Sequence, residues 1–309
     1  MKLLVVGATG QVGQATAAFG IEREYEVVGL GSKELDITQS EQVKQVIGEH
    51  QPDFVINCAA YTAVDKAEDD REACLRINTD GPANLASACS ELDIPLIHLS
   101  TDYVFDGEKT AAYKETDDVK PLGVYGESKW QGEELVRQLC PNHIILRISW
   151  VFGPFGHNFM KTMLRLGAER QELSVVADQY GAPTYTGDIA RVVVAIAEQL
   201  HCQVSDDLWG TYHYCGTDVT TWHRFAKVIF MEAKGFVDLQ VDQVHEITTD
   251  EYPTPVTRPK NSALDCHKIL YAFGIKQRPW RSGIMATLKH LYQPPVEVES
   301  TESISGASE

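Results

Sequence analysis

The chain opens with an alternation of short apolar runs and longer amphipathic segments. The apolar runs are rich in β-branched residues and too short for core helices; they occupy residues 2–7, 25–30, 52–60, 94–100 and 143–148. Runs of this kind are typical of strands that are buried on both faces of a parallel sheet. The segments between them predict helices, including 14–20, 40–49 with Ser40 as a candidate N-cap, and 72–92. A doubly wound α/β domain is therefore predicted over about residues 1–150.

The pattern becomes less regular after Trp150. Helices are predicted at 156–170, 186–200 and 221–233, and strands at 173–178 and 210–215. Residues 251–265 are rich in proline and predict a loop, after which short helices continue to about Tyr292. We expect a smaller C-terminal α/β domain over residues 151–293, with some elements rejoining the main sheet. Residues 294–309 lack aromatic residues and are acidic and rich in serine, so we expect them to be disordered.

Composition argues against several classes of protein. The formal net charge of −17, without a visible cluster of Lys and Arg, argues against binding to nucleic acids or anionic membranes. No apolar run approaches the roughly 20 residues of a membrane span, and no cleavable signal pattern follows Met1, so a cytoplasmic location is expected. The seven cysteines are scattered and form no C-x-x-C pair, which indicates neither a disulfide framework nor a zinc site.

A glycine-rich turn lies between the first predicted strand and the first predicted helix. Its glycines are Gly7, Gly10 and Gly13, spaced as G-x-x-G-x-x-G rather than G-x-G-x-x-G. Glycines in this position let the backbone approach a pyrophosphate, which the N-terminus of the helix then faces. The turn therefore predicts dinucleotide binding and, with the alternation of strands and helices, a Rossmann-type fold.

The ends of the next two strands refine the cofactor prediction. The second strand is followed by Ser32 and Lys33 instead of the carboxylate that would hold a ribose 2′-hydroxyl, which favours NADP over NAD. Asp36 would either bond an adenine amino group or solvate a loop, and both interpretations stay open. The third strand runs into Ala59 and Ala60, small residues that suit the wall of a cofactor crevice.

Tyr125 and Lys129 are four residues apart at the start of a predicted helix, so their side chains lie on one helix face. A neighbouring ammonium lowers the pKa of a tyrosine from about 10, which would make Tyr125 a usable general acid. The fourth strand brings Ser100 and Thr101 to the same edge as the glycine turn, where a hydroxyl can donate to a substrate carbonyl. Asn78 is polar on a largely apolar helix and is interpreted as a satisfied buried amide.

Several motifs together resemble those of the extended short-chain dehydrogenases/reductases. They are GATGQVG at residues 7–13, NCAAYTAVDKAE at 57–68, STDYVFDG at 100–107 and YGESK at 125–129. Later blocks narrow the resemblance to the dTDP-4-dehydrorhamnose reductase family; they include RISWVFGPFGHNFMKTMLRLGAER at 147–170, SVVADQYGAPTY at 174–185 and RPKNSALD at 258–265. The similarity runs from residue 1 to about residue 290.

The resemblance implies a reaction and the residues that carry it. That family reduces the 4-keto group of dTDP-4-dehydro-L-rhamnose with NADPH or NADH. By resemblance, Thr101 would bond the sugar carbonyl, Tyr125 would protonate its oxygen, and Lys129 would bind the nicotinamide ribose and lower the pKa of Tyr125. Asp102 and Trp150 match positions that contact the sugar. The matching cofactor positions are Gly10, Gln11, Val12, Asp36, Ile37, Ala59, Ala60, Tyr61, Leu99, Tyr125 and Lys129. The smaller domain is then expected to bind mainly the nucleotide sugar.

Other functions share much of this pattern. A nucleotide-sugar dehydratase of the same fold would by resemblance carry a carboxylate at position 103, and Tyr103 argues against it. A non-catalytic NADP-binding regulator, similar to the β subunit of methionine adenosyltransferase, stays open, because intact Thr101, Tyr125 and Lys129 are compatible with a binding role. Nucleotide-sugar 4-ketoreductases with other product stereochemistry have the same motifs.

Metal binding is where the chain departs from part of that family. Some members are dimers bridged by Mg²⁺ through glutamates, one of which lies on the first helix. The matching stretch here, residues 13–17, reads GQATA, and alanine offers no oxygen ligand. We therefore expect that activity does not require Mg²⁺, and that the protein is a monomer or a dimer not bridged by metal.

Overall fold

A computed structural model describes residues 1–202 and 206–293. The tail predicted at 294–309 lies outside these residues. The strands are β1 (Lys2–Val6), β2 (Glu26–Leu30), β3 (Phe54–Asn57), β4 (Leu96–Thr101), β5 (His143–Ile148), β6 (Val151–Phe152), β7 (Glu172–Val176), β8 (Tyr180–Gly181), β9 (Thr184–Tyr185), β10 (Gly210–Tyr214), β11 (Thr220–Thr221) and β12 (Gln243–Ile247). The helices are α1 (Gln11–Glu22), α2 (Ser40–His50), α3 (Arg71–Leu75), α4 (Gly81–Glu91), α5 (Val124–Leu139), α6 (Phe159–Glu169), α7 (Thr186–Cys202), α8 (Trp222–Ala233), α9 (His267–Phe273) and α10 (Trp280–Tyr292).

Six strands form one parallel sheet in the order β2-β1-β3-β4-β5-β10. The predicted doubly wound, Rossmann-type sheet is confirmed. The chain first builds β1 and β2 and then crosses to β3 on the other side of β1, so the strand order reverses between β1 and β3. In open α/β sheets ligands bind at the carboxyl ends of the strands where this reversal leaves a crevice. That crevice lies between the glycine turn after β1 and the alanines after β3.

The sheet buries apolar side chains on both faces, because successive residues of a strand point to opposite sides. Leu3, Val5 and Ile56 pack with the side chains of α7 and α9 on one face. Leu4 and Val55 pack with those of α2, α4 and α5 on the other. This is why the strand sequences are continuously apolar rather than alternating.

A separate apolar cluster lies in the second half of the chain. It joins Phe152 to residues of α6, β7, α8 and α10, and includes Met160, Leu173, Phe225 and Ile284. The predicted strand at 210–215 is β10, which pairs with β5 and belongs to the main sheet.

Three local features differ from the sequence interpretation. Ser40 is the first residue of α2, and the N-cap is Gln39, which makes no side-chain capping bond. The helix predicted at 72–92 is interrupted by one π-helical turn at Arg76–Asp80. The strand β12, which pairs in parallel with β7, was not predicted, and neither were the two-residue strands β6, β8, β9 and β11. Within the described residues, no helix combines the length and apolar character needed to cross a membrane.

Candidate active site

The glycine turn after β1 is a close approach of three backbone segments. Gly7 has a φ of +76°, and a Cβ there would lie 2.5 Å from the Ala59 nitrogen. A Cβ on Gly13 would lie 2.2 Å from the Gly7 oxygen. Both positions therefore need glycine, one for conformation and one for space. A turn held this tightly brings the start of α1 against the end of β3, as a dinucleotide site requires.

The N-terminus of α1 offers backbone donors. Gly10 is its exposed N-cap, with no side-chain capping bond and no acidic residue in the first turn. Gln11 and Val12 are half-buried at the same turn, and Asn158 Nδ2 donates to Gln11 Oε1 at 3.4 Å. Helix N-termini of this kind bind phosphate through their free N–H groups and the helix dipole. The residues present fit the pyrophosphate of a dinucleotide.

The loop that follows β2 contains a carboxylate, Glu34, that was not weighed as a neighbour of the cofactor. Ser32 and Lys33 are exposed there, as expected of a 2′-phosphate contact. Glu34, however, folds back so that its Oε2 accepts from the Gly31 nitrogen at 2.9 Å. The loop after β2 therefore carries a cation at Lys33 and a carboxylate at Glu34.

Asp36 is bonded to Thr38 in the loop that precedes α2. Its Oδ1 accepts from the Thr38 nitrogen at 3.0 Å and from the Thr38 hydroxyl at 2.8 Å, and these bonds lower the pKa of Asp36. The carboxylate is thus bonded within its own loop, and its contact with the adenine stays a prediction. Ile37 beside it is buried, and its carbonyl accepts from Asn84 Nδ2 at 2.9 Å.

The segment after β3 is held by two buried amides. Asn57 Oδ1 accepts from the Ala59 nitrogen at 3.0 Å. Asn78 Oδ1 accepts from the Tyr61 nitrogen at 2.8 Å, and Asn78 Nδ2 donates to the Tyr61 carbonyl at 3.1 Å. Asn78 is thus a satisfied buried amide, as predicted. These bonds shape the backbone from Ala59 through Ala60 to Tyr61 along the crevice.

Thr101, Tyr125 and Lys129 meet at the carboxyl end of β4. Thr101 is the last residue of β4 and is buried, and its Oγ1 accepts from the Tyr103 nitrogen at 3.2 Å. Tyr125 is half-buried in the first turn of α5, with its ring edge-to-face against Tyr103 at 5.5 Å between centroids. Lys129 is 2% exposed, and its Nζ donates to the Leu99 carbonyl at 2.7 Å. The structure therefore brings the three predicted catalytic side chains to one strand end.

The pKa of Tyr125 corrects one expectation. Burial raises the pKa of Tyr125 above its ordinary value, and the Thr101 hydroxyl is the largest influence that lowers it. The expected lowering by Lys129 is not found, because the Lys129 amine is bonded to the strand backbone at Leu99. Burial also lowers the pKa of Lys129 to about 8. The phenol is consequently protonated at neutral pH, as a proton donor must be.

Asp102 is a buried carboxyl group beside this triad. It is 3% exposed, its Oδ1 accepts from the Thr101 hydroxyl at 3.3 Å, and its Oδ2 has no hydrogen-bond partner. Burial raises the pKa of Asp102 to about 6, while the Ser262 hydroxyl acts in the opposite direction. A buried polar atom without a partner costs free energy unless a ligand satisfies it. Asp102 is therefore well suited to contact a polar ligand, as the resemblance implied.

Arg258 connects three segments around the site. Its Nη1 donates to the Tyr103 hydroxyl at 3.1 Å, and its Nη2 donates to Asp65 Oδ2 at 2.6 Å. Tyr103 in turn packs against Tyr125. The proline-rich loop thereby contacts α5 through Tyr103, and no local sequence pattern indicated this contact.

Trp150 forms a stacked pair with Trp222. Their ring centroids are 3.5 Å apart and the ring planes are 9° apart. Trp150 has a φ of +46°, which is unfavourable for a residue with a side chain, and its indole lies over Gly181, where a Cβ would be 2.4 Å away. Both indoles are half-buried and present an aromatic surface in the second half of the chain.

Glu133 and Arg147 anchor α5 to the sheet. Arg147 on β5 donates from Nε to Glu133 Oε1 at 2.9 Å and from Nη2 to Glu133 Oε2 at 2.6 Å. The side chains are 1% and 0% exposed. Glu133 lies one helical turn after Lys129, so this bidentate pair also fixes the height of Lys129 above β4. Both bonds of the Arg147 guanidinium to Glu133 lie inside the protein, so Arg147 has an internal partner.

No group of three or more His, Cys, Asp or Glu side chains that could hold a metal ion occurs within residues 1–202 and 206–293. Ala15 and Ala17, on the first helix, have no oxygen ligands in their side chains. The expectation about Mg²⁺ stays a prediction.

Comparison with known proteins connects this geometry to a family. A family model described as the RmlD substrate binding domain matches residues 1–293. The dTDP-4-dehydrorhamnose reductase of Aggregatibacter actinomycetemcomitans is 46% identical over 286 residues, which cover 92% of this chain and 97% of that protein. The crystal structure of the dTDP-4-dehydrorhamnose reductase of Bacillus anthracis in complex with NADP is 38% identical, with a TM-score of 0.85, and covers 93% of this chain and 98% of that chain. The crystal structure of a dTDP-4-dehydrorhamnose reductase from Clostridium acetobutylicum is 37% identical, with a TM-score of 0.87. It covers 94% of this chain and 99% of that chain.

Proposed function

This chain belongs to the dTDP-4-dehydrorhamnose reductase family, and on that premise we propose that it reduces the 4-keto group of dTDP-4-dehydro-L-rhamnose to dTDP-L-rhamnose with NADPH. The observation that carries the proposal is the convergence of Thr101, Tyr125 and Lys129 at the carboxyl end of β4, at the same edge of the parallel sheet as the glycine turn. A hydroxyl, a phenol and an amine at one strand end form the donor set that carbonyl reduction needs.

The cofactor would lie in the crevice between β1 and β3. The residues that would hold it are Gly7, Gly10, Gln11, Val12 and Gly13 at the pyrophosphate, Ser32, Lys33, Asp36 and Ile37 at the adenosine, and Ala59, Ala60, Tyr61, Leu99, Tyr125 and Lys129 towards the nicotinamide. NADPH supplies the hydride when bound.

Thr101, Tyr125 and Lys129 have separate roles in the proposed reaction. Thr101 would turn its hydroxyl proton from Asp102 Oδ1 to the carbonyl oxygen and so polarise the carbonyl for attack at its carbon. Tyr125 transfers its phenolic proton to the same oxygen as negative charge develops there. Lys129 lies within one helical turn of Tyr125 and holds a ribose hydroxyl through the hydrogens that Leu99 does not accept.

The sugar nucleotide would extend towards the second half of the chain. Asp102 Oδ2, which is buried without a partner, is available to a sugar hydroxyl. The Trp150–Trp222 stack is available to an apolar face of the sugar or to the base. We accordingly propose that residues 1–150 bind the cofactor and that residues 151–293 supply most of the nucleotide-sugar contacts, while β10 remains in the main sheet.

The decisive experiment is NADPH oxidation with the dTDP-4-keto sugar generated in situ, followed by identification of the product. Stoichiometric oxidation with formation of dTDP-L-rhamnose is expected. Formation of another dTDP-6-deoxyhexose would indicate a related 4-ketoreductase. NADPH binding without turnover of any dTDP-4-keto sugar would contradict the proposal and favour the non-catalytic regulator.

The same assay tests the metal prediction. We expect equal turnover with EDTA and with added Mg²⁺, because the first helix lacks the oxygen ligand found in metal-bridged relatives. Sedimentation in both buffers should show one unchanged species. A dimer that dissociates and loses activity with EDTA would contradict this expectation.

NADPH is expected to be preferred over NADH. Lys33 can pair with the 2′-phosphate, and one charge-assisted contact of this kind contributes about 1.5 to 3 kcal/mol, or roughly 10- to 100-fold in kcat/KM. Lys33→Ala should remove most of the preference. Glu34→Gln should increase it, because the carboxylate at Gly31 opposes a phosphate. Equal kcat/KM for both cofactors in the wild type, or unchanged ratios in both variants, would show that this loop does not select the cofactor.

A further inference from the structure

A row of buried polar side chains lies directly beneath the catalytic helix. Asn57 at the end of β3 and His98 in β4 are both 0% exposed. Asn57 Nδ2 lies 3.0 Å from His98 Nδ1, and His98 Nε2 lies 3.4 Å from Lys129 Nζ. The row thus runs from the cofactor-side end of β3 to the amine of Lys129.

The direction of each hydrogen bond in the row follows from its first member. The Ala59 nitrogen can only donate, and its acceptor at 3.0 Å is the oxygen of the Asn57 amide. The amide nitrogen of Asn57 therefore faces His98 and donates to Nδ1. An Nδ1 that accepts places the proton of a neutral imidazole on Nε2. His98 is neutral, because burial, followed by the charge of Lys129, holds its pKa well below the ordinary value.

The Nε2–H group of His98 therefore points at the Lys129 amine. An ammonium has no lone pair with which to accept from His98 Nε2–H, whereas a neutral amine has one. With the opposite tautomer, Nε2 would accept from the ammonium and stabilise its charge. The tautomer of His98 therefore determines whether its ring favours or disfavours the protonated form of Lys129. The tautomer is in turn set by the hydrogen bond from Asn57.

We infer that Asn57 is a positioning residue, which fixes His98 in the tautomer whose Nε2–H faces Lys129 and thereby sets the pH range over which Lys129 is charged. Its consequence for catalysis rests on the proposed function, in which Lys129 takes part. The tautomer itself does not depend on any reaction.

The other groups around Lys129 are consistent with this assignment. Burial lowers the pKa of Lys129, while Glu133, one turn further along α5, raises it. That carboxylate is shared with Arg147 and Arg137. Burial raises the pKa of Cys58 to about 12 and also raises the pKa of Cys74, so both thiols are neutral near pH 7. Burial likewise keeps Tyr125 protonated.

The expected pH dependence has a definite sign. A reaction that needs the Lys129 ammonium proceeds fully below its pKa and is lost as the pH rises through it. With the pKa at about 8, kcat/KM should fall above that pH. A change that raises the pKa of Lys129 would move this fall to higher pH.

The tautomer can be read directly from the ¹⁵N shifts and two-bond ¹H–¹⁵N couplings of the histidine rings in the wild-type protein. His98 should show protonated Nε2, with its signals assigned by their loss in His98→Gln. Two other buried histidines are internal controls, because carbonyls accept from their Nδ1: His143 bonds Cys140 O at 2.6 Å and His213 bonds Tyr113 O at 3.0 Å. Both should show protonated Nδ1. Protonated Nδ1 on His98 as well would overturn the inference.

Asn57→Asp tests the control that Asn57 exerts. A carboxylate accepts both from the Ala59 nitrogen and from His98 Nδ1–H, so the tautomer should switch and Nε2 should accept from Lys129. The alkaline fall of kcat/KM should then move upward by on the order of one pH unit. Asn78→Asp is the matched control, because it places a carboxylate at another buried amide, which bonds Tyr61 and not His98. It should leave the His98 tautomer unchanged.

The outcomes separate this inference from the proposed function. An Asn57→Asp protein that keeps protonated Nε2 on His98 would contradict the inference, whatever its pH profile. A pH shift of equal size in Asn57→Asp and Asn78→Asp would show that charge alone, and not the tautomer, acts on Lys129. If the histidine ¹⁵N spectra show the expected tautomers but the protein does not turn over the sugar, the proposed function would be refuted. The role assigned to Asn57 would then still hold.

Discussion

The Tyr125→Phe variant is expected to lose about 10²- to 10⁴-fold in kcat while binding NADPH almost as tightly as the wild type, because general acid catalysis usually contributes that much. The phenolic proton acts on the oxygen in the transition state and not on the bound ground state. Phenylalanine keeps the ring that packs edge-to-face on Tyr103, so the site retains its shape. The measurement is kcat under conditions where chemistry limits the rate, together with NADPH affinity from fluorescence titration.

Tyr103→Phe is the matched control for this experiment. It removes the second phenol of the pair, whose hydroxyl accepts from Arg258 and has no role in the proposed proton transfer. Loss of one hydrogen bond contributes about 1 kcal/mol, so kcat should fall by less than about tenfold. If the Tyr125→Phe protein kept more than about a third of the wild-type kcat, the proton would have another source.

Glu133→Ala is expected to destabilise the protein by about 3 to 5 kcal/mol, because it leaves the buried guanidinium of Arg147 without its counter-ion. Arg147 is 1% exposed and donates to both oxygens of Glu133, so water cannot replace the carboxylate without opening the interface between α5 and β5. The measurement is urea-induced unfolding at pH 7, monitored by far-UV circular dichroism. The slope of the free energy of unfolding against urea concentration shows whether the transition itself has changed.

Two further variants show whether burial is the cause. Glu134→Ala removes the neighbouring carboxylate, which is 42% exposed and pairs with Arg137 on the surface, and it should change stability by less than about 1 kcal/mol. The double change of Glu133→Leu with Arg147→Met removes both buried charges and should recover most of the loss. Equal effects of Glu133→Ala and Glu134→Ala would mean that the buried pair contributes no more than a surface pair.

Much of the fold was predictable because it depends on local patterns. Continuous apolar runs such as residues 143–148 predicted strands buried on both faces, and the structure places β5 on those residues. The spacing of Tyr125 and Lys129 predicted one helix face, since that follows from the helical repeat alone. Boundaries were less accurate where a side chain with a capping preference was not used as a cap, as with Ser40.

The errors arose where distant residues approach one another. Glu34 is a local case: it lies four residues beyond the end of β2, and only the fold of the loop brings its carboxylate to the Gly31 nitrogen. The pKa of Tyr125 was expected to fall because Lys129 is its neighbour along the helix, yet the structure directs that amine to Leu99 on a different element. Asn57 and His98 were visible as polar residues in apolar strands, but the sequence carries no sign that β3 and β4 pair at that register.

The sequence by itself therefore determined the elements, their order, the glycine turn and the presence of a hydroxyl, a phenol and an amine on a known type of scaffold. Tertiary structure alone decided which partners those groups have: the bond from Lys129 to Leu99, the pairing of Glu133 with Arg147, and the row from Asn57 to Lys129. The physical reason is that strand and helix periodicity arises from neighbours along the chain. Hydrogen-bond direction and pKa arise from neighbours in space, which strand order and helix docking bring together.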